Sequence, residues 1–598
     1  MTLLHEPLRK LVSQTLITLI QAQLEAGGVA KDAIGVGDVY KALVDAPNTE
    51  LGHLAFGCFI TAKNLKKGPP VVAQLLAQEL KNEVAQNIVL KKAIASVEAA
   101  GPYINIKFTA AGLADYILKP LLSGETFSAQ LTEATPKMMI EYSQPNTHKE
   151  LHVGHMRNMC LGDSIVRLLR YSGYNILAST FPGDVGTHVA KCLWYMKFHN
   201  KESAPMMNKG TWLGAMYSKG NLLLEDQVGT PQEDENRKIL TEILKQLEAK
   251  NGEYYDLWKQ TREWSIDLMK EVYAWADIKF DQWYFESDVD SDSVKTIKKY
   301  LAEGKLVESQ GAIGLDFSEE NMGFCLLLKS DGTGLYATKD IELARRKFEE
   351  HKIEKSIYVV DQRQALHFKQ VFKALGVLGF EQAKDCYHLQ YNFVELPDGA
   401  MSSRKGNIVP LTTLIDTMKV HIKSEYLARY ASEWTEVEVA TVADQVAKGA
   451  IKYGMLKQDT NKKIVFDMSE WTKLDGESGP FIQYSSARIN SLLKKFSFDA
   501  KAEFSGDVLS HASELRLMQH LMNFNTVVLN AAENYKPASL CSYLYDTAKK
   551  FNSFYHDCPI GTAETPDLKK SRLALAYSTG VTLKHGLSLL GIPTPEKM

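Results

Sequence analysis

Hydrophobic positions along this chain follow three patterns in succession. Residues 1 to about 118 show helical periodicity and then "GPYINIKF", where alternation after a turn signal predicts a strand. "GPP" at residues 68–70 predicts a loop inside this region. From about 130 to 425, strand-like runs alternate with helical segments, and beyond about 426 the spacing is almost wholly helical. The chain is therefore expected to contain three units of different structural class.

The middle region predicts a parallel sheet covered by helices. Two buried-strand candidates, "KMMIEYS" and "KSIYVV", are each followed by a helical apolar face. The apolar positions of these faces are Leu161, Ile165, Leu168 and Leu169 in the first, and Phe368, Val371, Phe372 and Leu375 in the second. Residues from about 190 to 280 are rich in Lys, Glu, Trp and Tyr with helical spacing, which indicates an insertion into the sheet.

The C-terminal region predicts a helical bundle. One apolar face contains Val442, Val446, Ala450 and Tyr453, and a second contains Leu515, Met518, Met522 and Leu529. The predicted architecture is an N-terminal α+β module at 1–118, an α/β parallel-sheet domain at 119–425 with the insertion at about 190–280, and a helical domain at 426–598.

Composition narrows the functional classes without naming one. The 598 residues are 45% hydrophobic and 24% charged, as in ordinary globular proteins, and no run of about 18 uncharged apolar residues predicts a membrane span. The seven cysteines are widely spaced without C-x-x-C, and the N-terminus lacks a secretion signal, so we expect a cytoplasmic protein. A net charge of −3 argues against indiscriminate nucleic-acid binding but is compatible with a local basic face.

The stretch "KELHVGHMRN", residues 149–158, carries the first candidate chemistry. His152 and His155 stand at the start of a predicted helix that follows a predicted strand, where free N–H groups favour phosphate. Gly154 leaves room for a close ligand, and Lys149 adds positive charge. Two other interpretations stay open for these histidines, namely core residues and metal ligands, although H-x-x-H without a third ligand is weak evidence for zinc.

A second segment, "DGAMSSRKGNIV" at residues 398–409, is glycine-bounded, basic and rich in hydroxyl groups. Ser402, Ser403, Arg404 and Lys405 could surround a polyphosphate with hydroxyl, guanidinium and ammonium donors. The alternative is an ordinary solvated surface loop. Both segments occurring in one α/β region favours phosphate chemistry over the alternatives.

These segments resemble the signatures of class I aminoacyl-tRNA synthetases. "HVGH" resembles their H-I-G-H motif and "AMSSR" their K-M-S-K-S loop. "EYSQPNTHKELHVGHMRNMCLGDSIVRLL", "GDVGTH", "FDQWYFES", "LYATKDIELA", "IYVVDQRQALHF" and "LSLLGIPTPEKM" resemble arginyl-tRNA synthetase segments in the same order, over essentially the whole chain. The resemblance implies a Rossmann-type catalytic domain, an N-terminal module that touches tRNA and a C-terminal anticodon-binding domain.

The resemblance also implies a reaction and residues for its ATP half. ATP with Mg²⁺ would activate L-arginine as arginyl-adenylate. The arginyl group would then be transferred to the terminal adenosine of tRNA(Arg). The ATP-binding positions implied are His152, Gly154, His155, Met401, Ser402 and Ser403. Ala400 and Ser403 stand where the wider class has loop lysines, and related arginyl enzymes also lack the second one. We therefore expect Lys149 to neutralise the phosphates, with Arg404 and Lys405 in support.

The arginine-binding positions implied by the resemblance are Gln144, Asn146, His152, Glu286, Tyr336, Asp340 and Gln364. Tyr336 and Asp340 would share one face if helical, and a guanidinium fork needs acceptors in matching geometry. Serine is common in the family at the position of Gln144. Alternatives for the pair remain, because Asp340 could cap a helix and Tyr336 could be a core residue.

Anticodon contacts are implied for Phe481, Tyr484 and Met598, although either aromatic could instead belong to the core of the bundle. No tightly bound protein metal and no membrane association are expected, and a monomer is the default. Two other functions stay open at this point. They are a class I synthetase for a different amino acid, and a tRNA-binding paralogue without chemistry.

Overall fold

A computed structural model describes residues 6–47, 50–124, 135–396, 399–400 and 409–598. Within these ranges, no helix is both long and apolar enough to cross a bilayer.

The N-terminal module is an antiparallel sheet packed by helices. Its helices are α1 (Pro7–Ala26), α2 (Val36–Ala42), α3 (Phe59–Leu65), α4 (Pro69–Gln86), α5 (Ile88–Ala93), α6 (Ala110–Leu113) and α7 (Lys119–Leu122). Its strands are β1 (Leu43–Asp45), β2 (Leu54–Gly57), β3 (Ile94–Ala100) and β4 (Tyr103–Phe108), which pair in the order β1-β2-β4-β3. The strand predicted in "GPYINIKF" is confirmed as β4.

The loop predicted for "GPP" is wrong, because α4 begins there. Gly68 is the N-cap and Pro69 the first helical residue. Proline suits that position, since its missing N–H has no partner in the first turn and its fixed φ is already helical. Val72, Leu76 and Leu80 on one face of the helix are buried and hold it against the sheet.

The central region contains the parallel sheet. Its strands and helices up to the insertion are β5 (Met138–Glu141), α8 (Val153–Tyr171) and β6 (Ile176–Thr180). The insertion consists of α9 (Thr187–Phe198), α10 (Lys209–Asp226), α11 (Pro231–Ala249) and α12 (Glu253–Trp275). After it come β7 (Gln282–Trp283), α13 (Glu286–Ala302), β8 (Val307–Ser309), β9 (Ala312–Phe317), β10 (Gly323–Leu328), α14 (Tyr336–His351), β11 (Lys355–Asp361), α15 (Ala365–Val377), β12 (Cys386–Tyr391), β13 (Val394–Leu396) and β14 (Gly399–Ala400).

The five strands of this sheet that the structure describes run parallel in the order β12-β11-β5-β6-β7. The chain moves from β5 outward to β6 on one side and from β11 outward to β12 on the other. The order therefore reverses between β5 and β11, and open parallel sheets bind ligands in the crevice at such a switch point. The sequence predicted both of these strands and the helix after each, and all four predictions are confirmed, for β5, α8, β11 and α15.

The insertion joins two adjacent parallel strands, β6 and β7. Its helices have their own apolar cluster, in which Trp194, Ile243 and Trp258 are buried. This separate packing explains why the helical spacing from about 190 to 280 interrupts the strand–helix alternation. β8, β9 and β10 form a small antiparallel sheet that precedes α14.

The C-terminal region is helical. Its elements are α16 (Leu411–Ile422), α17 (Glu436–Leu456), β15 (Ile464–Val465), α18 (Met468–Thr472), α19 (Gly479–Lys495), α20 (Ala512–Met522), α21 (Phe524–Glu533), α22 (Pro537–Asp557) and α23 (Pro566–Leu589). The single face predicted from Leu515 to Leu529 is wrong in one respect, because two helices share it. The chain turns at Asn523, whose side-chain amide donates to Asp45 of the N-terminal module at 2.6 Å.

Candidate active site

The two histidines of "HVGH" cap the helix that follows the central strand. His152 is the N-cap of α8, and its Nδ1 accepts from the backbone N–H of Gly154 at 3.1 Å. The Nδ1 of His155 accepts from the backbone N–H of His152 at 3.1 Å. The two ring centroids are 3.9 Å apart. A ring nitrogen that accepts a backbone N–H carries no proton, so each neutral ring has its N–H at Nε2.

Burial keeps both rings neutral. It lowers the pKa of His152 to about 4, with further lowering by the positive charges of Arg363 and Lys149. Burial also lowers the pKa of His155 well below its usual range, with His152 and Lys149 adding to the effect. Near neutral pH both side chains are therefore hydrogen-bond donors through Nε2 without a charge of their own. Such fixed donors need no reorganisation when a phosphate develops charge.

Gly154 and Lys149 complete this end of the site. A Cβ on Gly154 would lie 3.0 Å from Cε1 and 3.1 Å from Nδ1 of the His152 ring, so glycine allows the ring to fold over the helix end. The ammonium of Lys149 lies 4.9 Å from the ring centroid of Tyr217 in α10 of the insertion. The insertion thus contacts the lysine that the sequence singled out for phosphate neutralisation.

The chain returns to this corner after residue 408. The N–H of Leu411 donates to the carbonyl of Leu151 at 2.8 Å, and the N–H of Val153 donates to the carbonyl of Val409 at 3.3 Å. The predicted phosphate-loop residues Met401, Ser402, Ser403, Arg404 and Lys405 lie outside the described residues. The chain that follows them is hydrogen-bonded to the histidine segment itself.

A glycine turn brings the other predicted residues toward the same loop. Asn146 and Gly183 form a parallel bridge, and the backbone N–H of Gly183 donates to Pro145 at 3.1 Å. A Cβ on Gly183 would lie 2.4 Å from Oδ1 of Asn146 and 3.2 Å from Oε1 of Glu286. Only glycine leaves room for these two polar side chains to converge, so Asn146 and Glu286 face each other across the backbone.

Glu286 is the first residue of α13 and is buried. Its Oε2 lies 3.0 Å from the ammonium of Lys339, which also lies 3.2 Å from Asp290. Burial raises the pKa of Glu286 to about 7, although Lys339 pulls it downward, while Asp184 and Asp340 push it up. The two carboxylates raise the pKa of Lys339 above its usual range despite its burial.

Tyr336 and Asp340 lie in the first turns of α14, so the predicted helical spacing is confirmed. Tyr336 is 63% exposed, which contradicts the alternative that it is a core residue. Asp340 is not the helix cap, because Leu335 occupies that position. Its Oδ2 accepts from Nε2 of His367 at 2.6 Å, and this bond raises the pKa of His367 although burial lowers it.

The two predicted glutamines have different surroundings. Gln144 is half-buried and donates from Nε2 to Glu141 at 3.1 Å. Gln364 is exposed at the N-cap of α15, just after the carboxyl end of β11. Because β11 and β5 are adjacent, Gln364 stands on the same edge of the sheet as Gln144.

A pocket of about 230 Å³ adjoins the acidic end of the site. It is lined by Glu286, Asp290, Tyr336 and Lys339. Residues of α11 and α12 from the insertion, among them Trp258, also line it. A concave site with an aromatic wall and several carboxylates suits a flat organic cation.

The predicted anticodon residues lie apart in the helical region. Phe481 and Tyr484 are half-buried in α19, and the Phe481 ring lies 5.4 Å from that of Tyr545. Met598 is half-buried, and its carbonyl accepts from the hydroxyl of Tyr430 at 3.3 Å. Each side chain packs partly on the bundle and keeps part of its surface open.

Four residues of the site were not found by sequence reasoning. Lys339 and His367 contact the predicted carboxylates of Glu286 and Asp340, and Gly183 forms the turn where Asn146 and Glu286 meet. Asp184 is fully buried and accepts from Arg262 at 2.6 Å, as well as from the backbone and hydroxyl of Ser287. All four lie in or beside segments that the resemblance had matched, but their partners are distant in sequence.

The described residues contain no cluster of side chains that could hold a metal ion. No three His, Cys, Asp or Glu side chains converge there as metal ligands usually do. The alternative that His152 and His155 bind zinc therefore lacks its third protein ligand among the residues described.

Comparison with known proteins gives one consistent result. The family models for "Arginyl tRNA synthetase N terminal domain", "tRNA synthetases class I (R), catalytic domain" and "DALR anticodon binding domain" match residues 8–108, 117–468 and 482–598. An arginine–tRNA ligase of Bdellovibrio bacteriovorus is 63% identical, with 96% of this chain and 99% of that protein covered. Another, from Treponema denticola, is 34% identical over 92% of this chain and 94% of that protein.

Solved structures agree. The arginyl-tRNA synthetase of Thermus thermophilus superposes with a TM-score of 0.78 at 25% identity, covering 98% of this chain and all of that one (100%). Because the family models and the relatives span the chain from end to end, this protein belongs to the arginyl-tRNA synthetase family.

Proposed function

We propose that this chain ligates L-arginine to tRNA(Arg) with ATP, and that the cleft above the β5–β11 switch point is where arginine is activated. The observation that supports this most is the arrangement of charge. Two carboxylates, Glu286 and Asp340, stand at one end, and two neutral imidazole donors with Lys149 stand at the other. A zwitterion with a cationic side chain, joined to a polyphosphate, matches that arrangement.

At the acidic end the guanidinium meets Glu286 and Asp340, with Tyr336 beside it. One oxygen of each carboxylate already has a protein partner, which leaves the other to accept from the substrate. Arginine presents several donors in one plane and can reach both acceptors. Lysine presents a single ammonium at the end of a flexible stem and leaves one buried acceptor unpaired. Selection therefore follows from geometry without an editing step.

At the opposite end of the substrate, Asn146 and Gln144 face the amino-acid backbone, and Gln364 approaches from β11. His152 borders both substrates. The arginine carboxylate then attacks the α-phosphorus of ATP, the bond to the β-phosphate oxygen breaks and pyrophosphate leaves. In the transition state, negative charge builds up on the phosphate oxygens. The Nε2–H groups of His152 and His155 and the ammonium of Lys149 stabilise it.

Transfer completes the reaction. The 2′-hydroxyl oxygen of the terminal tRNA adenosine attacks the carbonyl carbon of arginyl-adenylate and loses its proton. The bond between that carbon and the bridging oxygen breaks, and AMP leaves with the bridging oxygen on its phosphate. In our proposal, Met401, Ser402 and Ser403 bind ATP, while Arg404 and Lys405 assist at its phosphates. We propose that Mg²⁺ enters as part of the ATP complex, bound to its phosphate oxygens.

Phe481, Tyr484 and Met598 are proposed to contact the anticodon. Phe481 has no hydroxyl group, so at this position we propose stacking on a base. The units at 1–118, 119–425 and 426–598 remain our proposed division of the chain, and a monomer remains the proposed state.

An aminoacylation assay tests the proposal. Purified protein, total tRNA, ATP and Mg²⁺ are incubated with each of several amino acids, including arginine, lysine, glutamine and cysteine. We expect acid-stable charging with arginine alone. Charging with a different amino acid would mean that this amino acid, and not arginine, is the substrate. Failure to charge with any amino acid would favour a tRNA-binding protein without catalytic activity.

A further inference from the structure

The acidic end of the site contains a buried lysine to which the reaction above gives no role. Lys339 lies on α14 between Tyr336 and Asp340, and only 11% of its side chain is exposed. Its ammonium reaches across to α13, where it is 3.0 Å from Oε2 of Glu286 and 3.2 Å from Oδ1 of Asp290. A cation this close to a cationic substrate should repel it, so its presence needs an explanation.

We propose that Lys339 is a positioning residue for arginine, which binds one oxygen of Glu286 so that this carboxylate is ionised and presents its other oxygen to the substrate. The inference rests on the proposed function, because it assumes that Glu286 meets the guanidinium. It assigns to this lysine a role in substrate selection, exerted through its partner.

The geometry supports each part of that role. Oε2 of Glu286 is engaged by Lys339, whereas Oε1 points to the Gly183 turn, where an added Cβ would be 3.2 Å away. Asn146 approaches the same turn from the other side. Lys339 therefore fixes which oxygen is available and where it points. Asp290 is 35% exposed and shares the ammonium, so Lys339 does not rest on Glu286 alone.

The charges around Glu286 make this lysine necessary. Asp184 and Asp340 both disfavour its ionised form, and Tyr336 lies close enough to feel its charge. Asp184 is itself paired with Arg262. Among the groups that shift the pKa of Glu286, Lys339 is the one that favours the carboxylate, and even so burial raises that pKa to about 7. Without Lys339, a larger share of Glu286 would be protonated at neutral pH and would meet the guanidinium as a neutral acid.

The pH dependence follows from the sign of this effect. An opposite charge in contact typically lowers the pKa of a carboxyl group by about 1–3 units. Removing it with Lys339→Met should move the acidic limb of kcat/KM for arginine upward by about that amount. At pH 7 we expect kcat/KM to fall by roughly 5-fold or more, and the loss should shrink as the pH rises toward 9, because a growing share of Glu286 in the variant is then ionised.

The experiment measures arginylation rates from pH 6 to 9 for the wild type, K339M, K339R and a matched control. Lys295→Met is the control, because Lys295 also lies on a helix of this region but pairs with Asp292 at the surface, with 75% of its side chain exposed. K339R should keep the limb near that of the wild type. K295M should have the wild-type profile, and the KM for ATP should be the same in all four proteins.

A double variant separates positioning from folding. If Lys339 acts through Glu286, adding K339M to E286Q should cost no further loss in kcat/KM for arginine. A K339M enzyme with an unshifted limb, or with an equal loss at pH 6.5 and pH 9, would overturn the inference, as would additive effects in the double variant. Absence of arginylation by the wild type would instead overturn the proposed function.

Discussion

Replacing Asp340 by asparagine removes one of the two charges proposed to hold the guanidinium. The side chain keeps its size and can still accept a hydrogen bond, so the change is mainly one of charge. In the structure Asp340 is 18% exposed and contacts His367 at 2.6 Å. It is shielded enough from water that losing a charged hydrogen bond costs about 2–4 kcal/mol.

That free energy converts to a reduction of roughly 30- to 700-fold in kcat/KM for arginine, at about 1.4 kcal/mol per factor of ten. Only kcat/KM for arginine should fall, because the ATP end of the site is formed by α8. Initial rates of arginylation, with arginine and ATP varied separately, give kcat/KM for arginine and the KM for ATP. The KM for ATP should stay within about twofold of the wild-type value, since binding of uninvolved groups is unchanged.

His367→Ala provides the matched control. It removes the internal partner of Asp340 but leaves the carboxylate, so it should lower kcat/KM for arginine by less than about 10-fold, the cost of one lost hydrogen bond. Equal losses of activity in D340N and H367A would contradict a direct contact with arginine, because Asp340 would then act only by holding His367. An increase in the KM for ATP as large as that for arginine in D340N would contradict it as well.

Three further predictions concern stability. Gly162→Ala should lower the free energy of unfolding by about 1–3 kcal/mol in urea titrations, because its Cβ would lie 2.1 Å from the Tyr142 ring. Lys347→Met should destabilise by about 3–5 kcal/mol, because it leaves the buried carboxylate of Glu141 unpaired, and adding E141Q should recover part of the loss. Burial lowers the pKa of His148 to about 3, so only the unfolded chain takes up this proton between about pH 6.5 and 3. Stability should therefore fall as the pH drops through that range, by at most about 1.4 kcal/mol per unit for this group, and His148→Asn should flatten the dependence of the urea midpoint on pH.

Much of the fold was predictable because its signals are local. Alternation, helical spacing and the order of strand and helix identified β5, α8 and β11, and α8 begins at the histidine motif. The same local rules failed where a long-range contact accompanies the end of a helix. Nothing near Asn523 in the sequence indicates its bond to Asp45, which accompanies the break between α20 and α21.

The candidate site was predictable in part. Tyr336 and Asp340 were named from the family resemblance, and their i, i+4 spacing then predicted one shared helical face, which α14 confirms. Lys339 lies between them but faces Glu286, which is 53 positions earlier in the chain. This pairing depends on how α13 packs against α14. The pattern of residue types along the chain does not predict that packing. The contact of Lys149 with Tyr217 of the insertion has the same origin.

A crystal structure of the protein with arginine and a non-hydrolysable ATP analogue would show directly how both substrates lie in the cleft. We expect guanidinium nitrogens within hydrogen-bond distance of both Glu286 and Asp340, and the α-phosphate oxygens within reach of Nε2 of His152 and His155. A guanidinium directed away from both carboxylates, or phosphates held elsewhere while the two imidazoles contact only protein, would contradict this arrangement.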